Sequence, residues 1–228
     1  MQTEDGRGLG RKYVEDRRDL RFSLPESLPG AANVRSQMHF AGAIIDQGRK
    51  SKCVGSAFKG WLYGGPIINK TPITDDEIYA RAQDVDEWAE KEPEMQGTSI
   101  RAGAKVLRDL GFIESFRWAL SVESVIDHLA VVGPMVAGTI WTRGMSYPDK
   151  DGYARPDGRL YGGHGFRLVG MHREVRNPDQ TKGRVRIANS HGYEYGQRGR
   201  AWISFRDLEV LLKEHGEMCL PIERLVAS

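Results

Sequence analysis

Cysteine is nearly absent. The 228-residue chain carries two, Cys53 and Cys219, too few for the disulfide framework of a small secreted domain, so stability has to come from an ordinary core. Long apolar runs are missing as well. None approaches the roughly 18 residues a membrane helix needs, and the N-terminus has no apolar stretch of the secretory type. A charge excess of either sign is lacking, since 33 Lys and Arg face 31 Asp and Glu for a net charge of +2. The Arg-rich start (Arg7, Arg11, Lys12, Arg17, Arg18, Arg21) is interleaved with acids and reads as a loose, solvated arm rather than a nucleic-acid surface. Repeats and low-complexity tracts do not occur. These absences lead to the expectation of a cytoplasmic protein in a reducing compartment, with no nucleic-acid partner and no membrane partner.

What is present suits a globular protein: 39% hydrophobic and 28% charged residues, over a length ample for a real core. Helical periods come first. One helix is expected from Ser51 through Leu62, stopping at Gly64-Gly65-Pro66. A second follows the capping box Thr74-Asp75-Asp76-Glu77, with Ile78, Ala82, Val85 and Trp88 on one face. A third is expected from a Thr98 cap to Gly111, and a fourth from near Ser121 to Gly133-Pro134. Arg21 to Leu24 reads as a short extended piece. Strands are expected at 135–141, 166–174, 184–188 and 201–205, then a late helix over 207–215. Helices first and strands later argue for an α+β fold.

The most informative segment is Asp46-Gln47-Gly48-Arg49-Lys50-Ser51-Lys52-Cys53. A polar turn leading to a Cys at a helix start suits a nucleophilic thiol, and the cationic run before it is expected to favour the thiolate. The Gln47 amide is a donor for a developing oxyanion. His164 lies between Gly163 and Gly165, small neighbours that would let an imidazole face a cleft as general base. Asn189 could orient that ring without adding charge. Cys219 has no such setting and reads as a packed terminal residue. A zinc site from His164, His172 and His191 is disfavoured, because no pair has close ligand spacing.

With these residues in view, the chain resembles the papain family of cysteine peptidases. The likeness runs from about residue 13 to about residue 205. It rests on Asp16-Arg17-Arg18, Gln47-Gly48 through Cys53, Gly97-Thr98-Ser99 with the following helix, Gly133-Pro134, Gly163-His164 and Asn189-Ser190-His191-Gly192. The resemblance implies two lobes in one domain spanning 1–228: a helical lobe over about 24–115, and a β-barrel-like lobe over about 116–228 that also takes in 13–23. The active cleft would lie between the lobes. It implies Cys53 as nucleophile, His164 as base, Asn189 as orienter, Gln47 in the oxyanion hole, Gly97, Thr98 and Gly163 along a peptide or protein substrate, and neither metal nor cofactor.

Two departures stand out. Lys50 replaces the Cys that secreted relatives carry three residues before the nucleophile. His191 stands where the family usually has a shielding Trp, so His191 is a possible modulator, with Tyr193, Tyr195 or Trp202 as candidate compensating rings. A mature-like start near Tyr13 leaves no room for a long inhibitory pro-segment, so the chain is expected to be made in its final form. Rival readings use the same fold: an amidase or acyl transferase, or a weakly active structural or binding module of a bacterial or phage assembly, with virion association.

Overall fold

A helix buried on nearly every side, α1 (Cys53–Leu62), runs through the centre of the molecule. The computed structural model describes residues 2–65, 68–69, 71–86 and 96–223. Because α1 is enclosed, it must be small where neighbours press on it. Gly60 admits the Arg167 guanidinium, whose Cζ would lie 2.5 Å from an added Cβ. Arg167 in turn donates to the Gly60 and Ala41 carbonyls, tying α1 to the β lobe.

Two further helices pack on α1. α2 (Asp75–Val85) starts at Thr74, whose hydroxyl accepts from Glu77 N. α3 (Ile100–Asp109) starts one residue later than expected, because Ser99 and not Thr98 is its cap. The Thr98 hydroxyl is spent on Asp86 instead. Trp88, expected on the α2 face, lies outside the described residues. Val54, Phe58, Trp61, Ile78, Ile100 and Leu107 form the shared core of these helices.

The sheet follows the order β2-β7-β3-β4-β5-β6, with β1 (Ser36–Met38) paired to β4. Its strands are β2 (Ile113–Ala119), β3 (Met135–Thr142), β4 (Leu160–Arg176), β5 (Lys182–Ala188), β6 (Arg200–Ser204) and β7 (Glu217–Glu223). All named pairings are antiparallel. The long β4 and β5 pair as a hairpin, and its turn falls at 177–181. α4 (Val122–Val131), capped by Ser121, and α6 (Phe205–Lys213), capped by Ser204, cover this lobe. The short α5 (Arg143–Ser146) follows β3. The second core, around Trp141, Phe166, Leu129 and Met135, belongs to this sheet and its helices. The architecture is the expected α+β, two-lobe arrangement.

Some elements differ from expectation. β1, β2 and β7 are not apparent from the sequence, and β1 draws residues 36–38 into the sheet. Arg17–Phe22 is a 3-10 turn rather than an extended piece, and the extended contact is a single bridge from Ser23 to Trp118. The reason is a distant partner: Asp16 and Asp19 both reach Arg101 on α3, which winds the intervening backbone.

Candidate active site

Three elements converge at one end of α1. Cys53 is the first residue of that helix, so its backbone N–H belongs to the first turn, which lacks intrahelical partners. His164 and Gly165 lie on β4, and Gly165 N donates to Cys53 Sγ at 3.3 Å. Asn189 follows β5. Its Oδ1 accepts from Ser190 N at 2.9 Å and lies 2.7 Å from His164 Nε2. An oxygen that already accepts one N–H can only accept at the imidazole too, so Nε2 carries the proton. Nδ1 then keeps its lone pair, and it is buried without a partner.

The Gln47 loop is sewn to the turn after Asn189. Gln47 N donates to Ser190 O at 2.9 Å, Gly192 N donates to Ile45 O at 3.0 Å, and Ser190 Oγ donates to Gln47 Oε1 at 2.5 Å. That last bond fixes the amide, leaving Nε2 as donor. Gln47 is thus joined to the turn after Asn189, Asn189 to His164, and Cys53 to the backbone of Gly165 beside His164, while among the described residues no hydrogen bond joins the Cys53 sulfur to His164 Nδ1.

His191 sits against His164, ring centroids 4.5 Å apart, and Trp141 closes the other contact at 4.4 Å. Trp141 lies on β3, next to the His164 strand, and was not singled out from sequence. It is the large indole beside this imidazole. Of the compensating rings expected, Tyr195 reaches both Trp141 and His191. Tyr193 is exposed, and Trp202 stacks on Arg184 and Arg186 instead.

The electrostatics overturn one expectation. Lys52 reaches Asp75 at 3.0 Å and Asp76 at 2.7 Å, and Lys50 reaches Asp76 at 2.8 Å. The acids at the start of α2 therefore consume the cations that were expected to favour a thiolate. Burial pushes the Cys53 thiol up to about 11, and N–H groups of Gly165, Gly10, Val54 and Arg11 offset only part of that. Burial and the neighbouring His191 hold His164 well below the usual imidazole range, against the Asn189 bond. His191 is pushed down to about 3 by burial and by Arg7. Thiol and imidazoles are therefore neutral at pH 7.

No family model matches the sequence, and no curated protein matches it. Solved structures do. Xylellain, a cysteine protease from Xylella fastidiosa, superposes with a TM-score of 0.65 at 17% identity, covering 99% of this chain and 98% of that one. Procathepsin B S9 from Trypanosoma congolense gives 0.54 at 14% identity, over 96% and 83%. A ragweed pollen cysteine protease in its proform gives 0.56 at 18% identity, over 97% and 76%. The fold is papain-like.

In this papain-like fold the N-terminal arm is not loose. Leu9, Gly10 and Arg11 are buried, and residues 8–12 lie across the cleft. Gly8 N donates to Gly48 O at 3.0 Å, and Gly8 O accepts from Gln47 Nε2 at 2.9 Å. Gly10 and Arg11 turn their N–H groups toward Cys53 Sγ. Arg11 N also donates to Gly163 O at 3.1 Å, Thr98 N to Gly10 O at 2.8 Å, and Lys12 N to Thr98 O at 2.9 Å. Gly97 abuts Gly10, so each of Gly97, Thr98 and Gly163 holds backbone of the chain itself.

Only glycine fits this approach. An added Cβ on Gly8 would lie 2.0 Å from Lys50 O, and one on Gly10 would lie 1.9 Å from Ser51 O. The signal was in the sequence as Gly8-Leu9-Gly10, but a Gly-rich charged arm reads as solvated unless something covers it. The segment thus covers the thiol, with the Gly10 and Arg11 amides beside its sulfur. Among the described residues, no group of three or more His, Cys, Asp or Glu is placed to hold a metal, and no helix is long and apolar enough to cross a membrane.

Proposed function

We propose that this chain is a papain-type cysteine peptidase that hydrolyses peptide bonds once residues 8–12 have left the cleft. The observation that carries this reading is the His164 Nε2–Asn189 Oδ1 contact of 2.7 Å. It leaves Nδ1 as the proton acceptor on the residue adjoining Gly165, whose N–H touches the Cys53 sulfur. The likeness of the whole chain to cysteine proteases supports the same class.

In the open form, Nδ1 takes the thiol proton and the sulfur attacks the carbonyl carbon. Gln47 Nε2 and the Cys53 N–H receive the oxyanion, each such donor being worth about 3–4 kcal/mol at best. The Nδ1 proton passes to the leaving amine, giving a thioester. Water, deprotonated at Nδ1, then attacks the thioester carbon and releases the acid with the thiol restored. Asn189 keeps the ring in the tautomer this sequence needs.

An epoxide-type thiol probe with mass mapping, run beside a broad peptide library, tests the reading. Covalent label on Cys53 together with peptide cleavage supports it. No cleavage by any opened form that remains folded refutes it and leaves the binding-module alternative.

A further inference from the structure

The alternation along β5 sorts its side chains onto two faces. Val185 and Ile187 enter the core with Ala201 and Ile203 of β6 and Met171 of β4. The residues between them share the other face of the sheet. There Arg184 stands opposite His172, Arg186 opposite Trp202, and Ala188 opposite Arg200. Three arginines and a histidine thus gather around one indole. Arg184 Cζ lies 4.0 Å and Arg186 Cζ 4.5 Å from the Trp202 ring centroid, and the His172 ring centroid lies 5.3 Å from it.

This charge of one sign has no counter-charge of its own. Among the described residues, none of Arg184, Arg186 and Arg200 forms an ion pair. Arg184 Nη1 donates to the Tyr153 hydroxyl at 2.8 Å and Arg186 Nη1 to Gln197 Oε1 at 2.7 Å, both neutral acceptors. Arg184 Nε is buried with no acceptor. Glu174, two residues along β4 from His172, is held by Lys182 at 3.1 Å. The crowding is felt across the face. Burial, Arg200 and Arg184 push Arg186 down to about 10, and burial and Arg184 lower His172.

The two Nη1 bonds and the contact with the indole fix the guanidinium forks, while the Nη2 groups of Arg184 and Arg186 are neither bonded nor enclosed. Three fixed cations suit a dianion. A phosphate monoester carries about −1.5 to −2 charge at pH 7 and offers three acceptor oxygens, against one charge and two oxygens for a carboxylate. We propose that this face of β5 and β6 is a binding site for a phosphate monoester, held by the guanidiniums of Arg184, Arg186 and Arg200. The group could be borne by a small molecule or by a phosphorylated side chain of another protein.

The test is calorimetry on the full chain at neutral pH and constant ionic strength. The probes are inorganic phosphate, the peptide Gly-phosphoserine-Gly with blocked ends, and the same peptide with glutamate for phosphoserine. The expected result is saturable binding of a phosphate probe, at least about tenfold tighter than the glutamate peptide. Arg200→Gln and Arg186→Gln should each weaken it by about tenfold or more, and Arg200→Lys by less. Tighter binding of the phosphopeptide than of inorganic phosphate supports a protein-borne group, and equal or weaker binding supports a small molecule. No saturation by either phosphate probe up to about 10 mM overturns the site. So does binding that the glutamate peptide matches, or that both Gln variants leave unchanged. Should Arg186→Gln fail to fold, Arg200→Gln decides alone, because its guanidinium makes no hydrogen bond among the described residues.

Discussion

The side-chain amide of Gln47 donates to the carbonyl of Gly8 at 2.9 Å. The donor expected to serve a developing oxyanion is thus engaged by the chain's own N-terminal segment. The same segment lies over Cys53 and sets the Gly10 and Arg11 N–H groups beside its sulfur, while burial raises the thiol. Closure and silence of the thiol have one physical origin.

Opening the cleft should expose the thiol. Gly10→Ala puts a Cβ 1.9 Å from the Ser51 carbonyl, which neither backbone can absorb in place. Limited iodoacetamide followed by peptide mapping at pH 7.5 should label Cys53 slowly in the parent chain and at least about tenfold faster in the variant. Cys219, buried in β7 within the core shared with the helices, should not change. Equal rates at Cys53 in both chains would refute the blocking role.

In an opened background, Cys53→Ala and His164→Ala should each abolish peptide turnover, a loss of about a thousandfold or more. Asn189→Ala should retain a measurable fraction, because it removes the ring's orientation and leaves the nucleophile and base present. The double variant Cys53→Ala/His164→Ala should cost little more than either alone. Circular dichroism confirms folding, and retained activity in folded His164→Ala would require a different base.

Glu217 should make stability pH-dependent. Burial raises its carboxyl from 4.5 to about 7, with Arg11 offsetting part of the shift. The folded chain then binds the proton more tightly than the unfolded one, so this group's contribution is fully present below about 4.5. It declines as pH rises from there through about 7. Urea unfolding from pH 4 to 8 should show that decline in the parent and a flatter curve in Glu217→Gln. Parallel curves would place the titration elsewhere.

His191→Trp should destabilise rather than improve the site. The imidazole is 4% exposed and packed between His164, Trp141 and Tyr195. A larger ring has no room there, and overpacking of this kind costs about 1–3 kcal/mol. Thermal unfolding reads the loss, and a variant at least as stable as the parent would show that the pocket can relax.

The helices of both lobes were readable because they carry local signatures: Thr74 and Ser121 as caps, and apolar faces at helical spacing. The strands of the long hairpin, β4 and β5, were readable as strands from the residues themselves. β1, β2 and β7 were not, because their stability comes from partners far away in sequence, such as Ser36 on His172 and Trp118 on Cys219. A three-residue strand has no period to detect.

The site divides in the same way. Sequence by itself determined that Gln47, Cys53, His164 and Asn189 have the residue types and local settings for thiol chemistry, since each sits in a turn, helix start or Gly-flanked strand that neighbours in the chain dictate. Only the tertiary structure decided what surrounds them. Lys50 and Lys52 turn to the carboxylates of α2, Trp141 comes from an adjacent strand to lie on His164, and Arg11 reaches Glu217 across 206 positions of chain. Charge and burial at a point in space are sums over every segment that meets there. That is why a Gly-rich, charged arm could read as solvated and yet close the cleft.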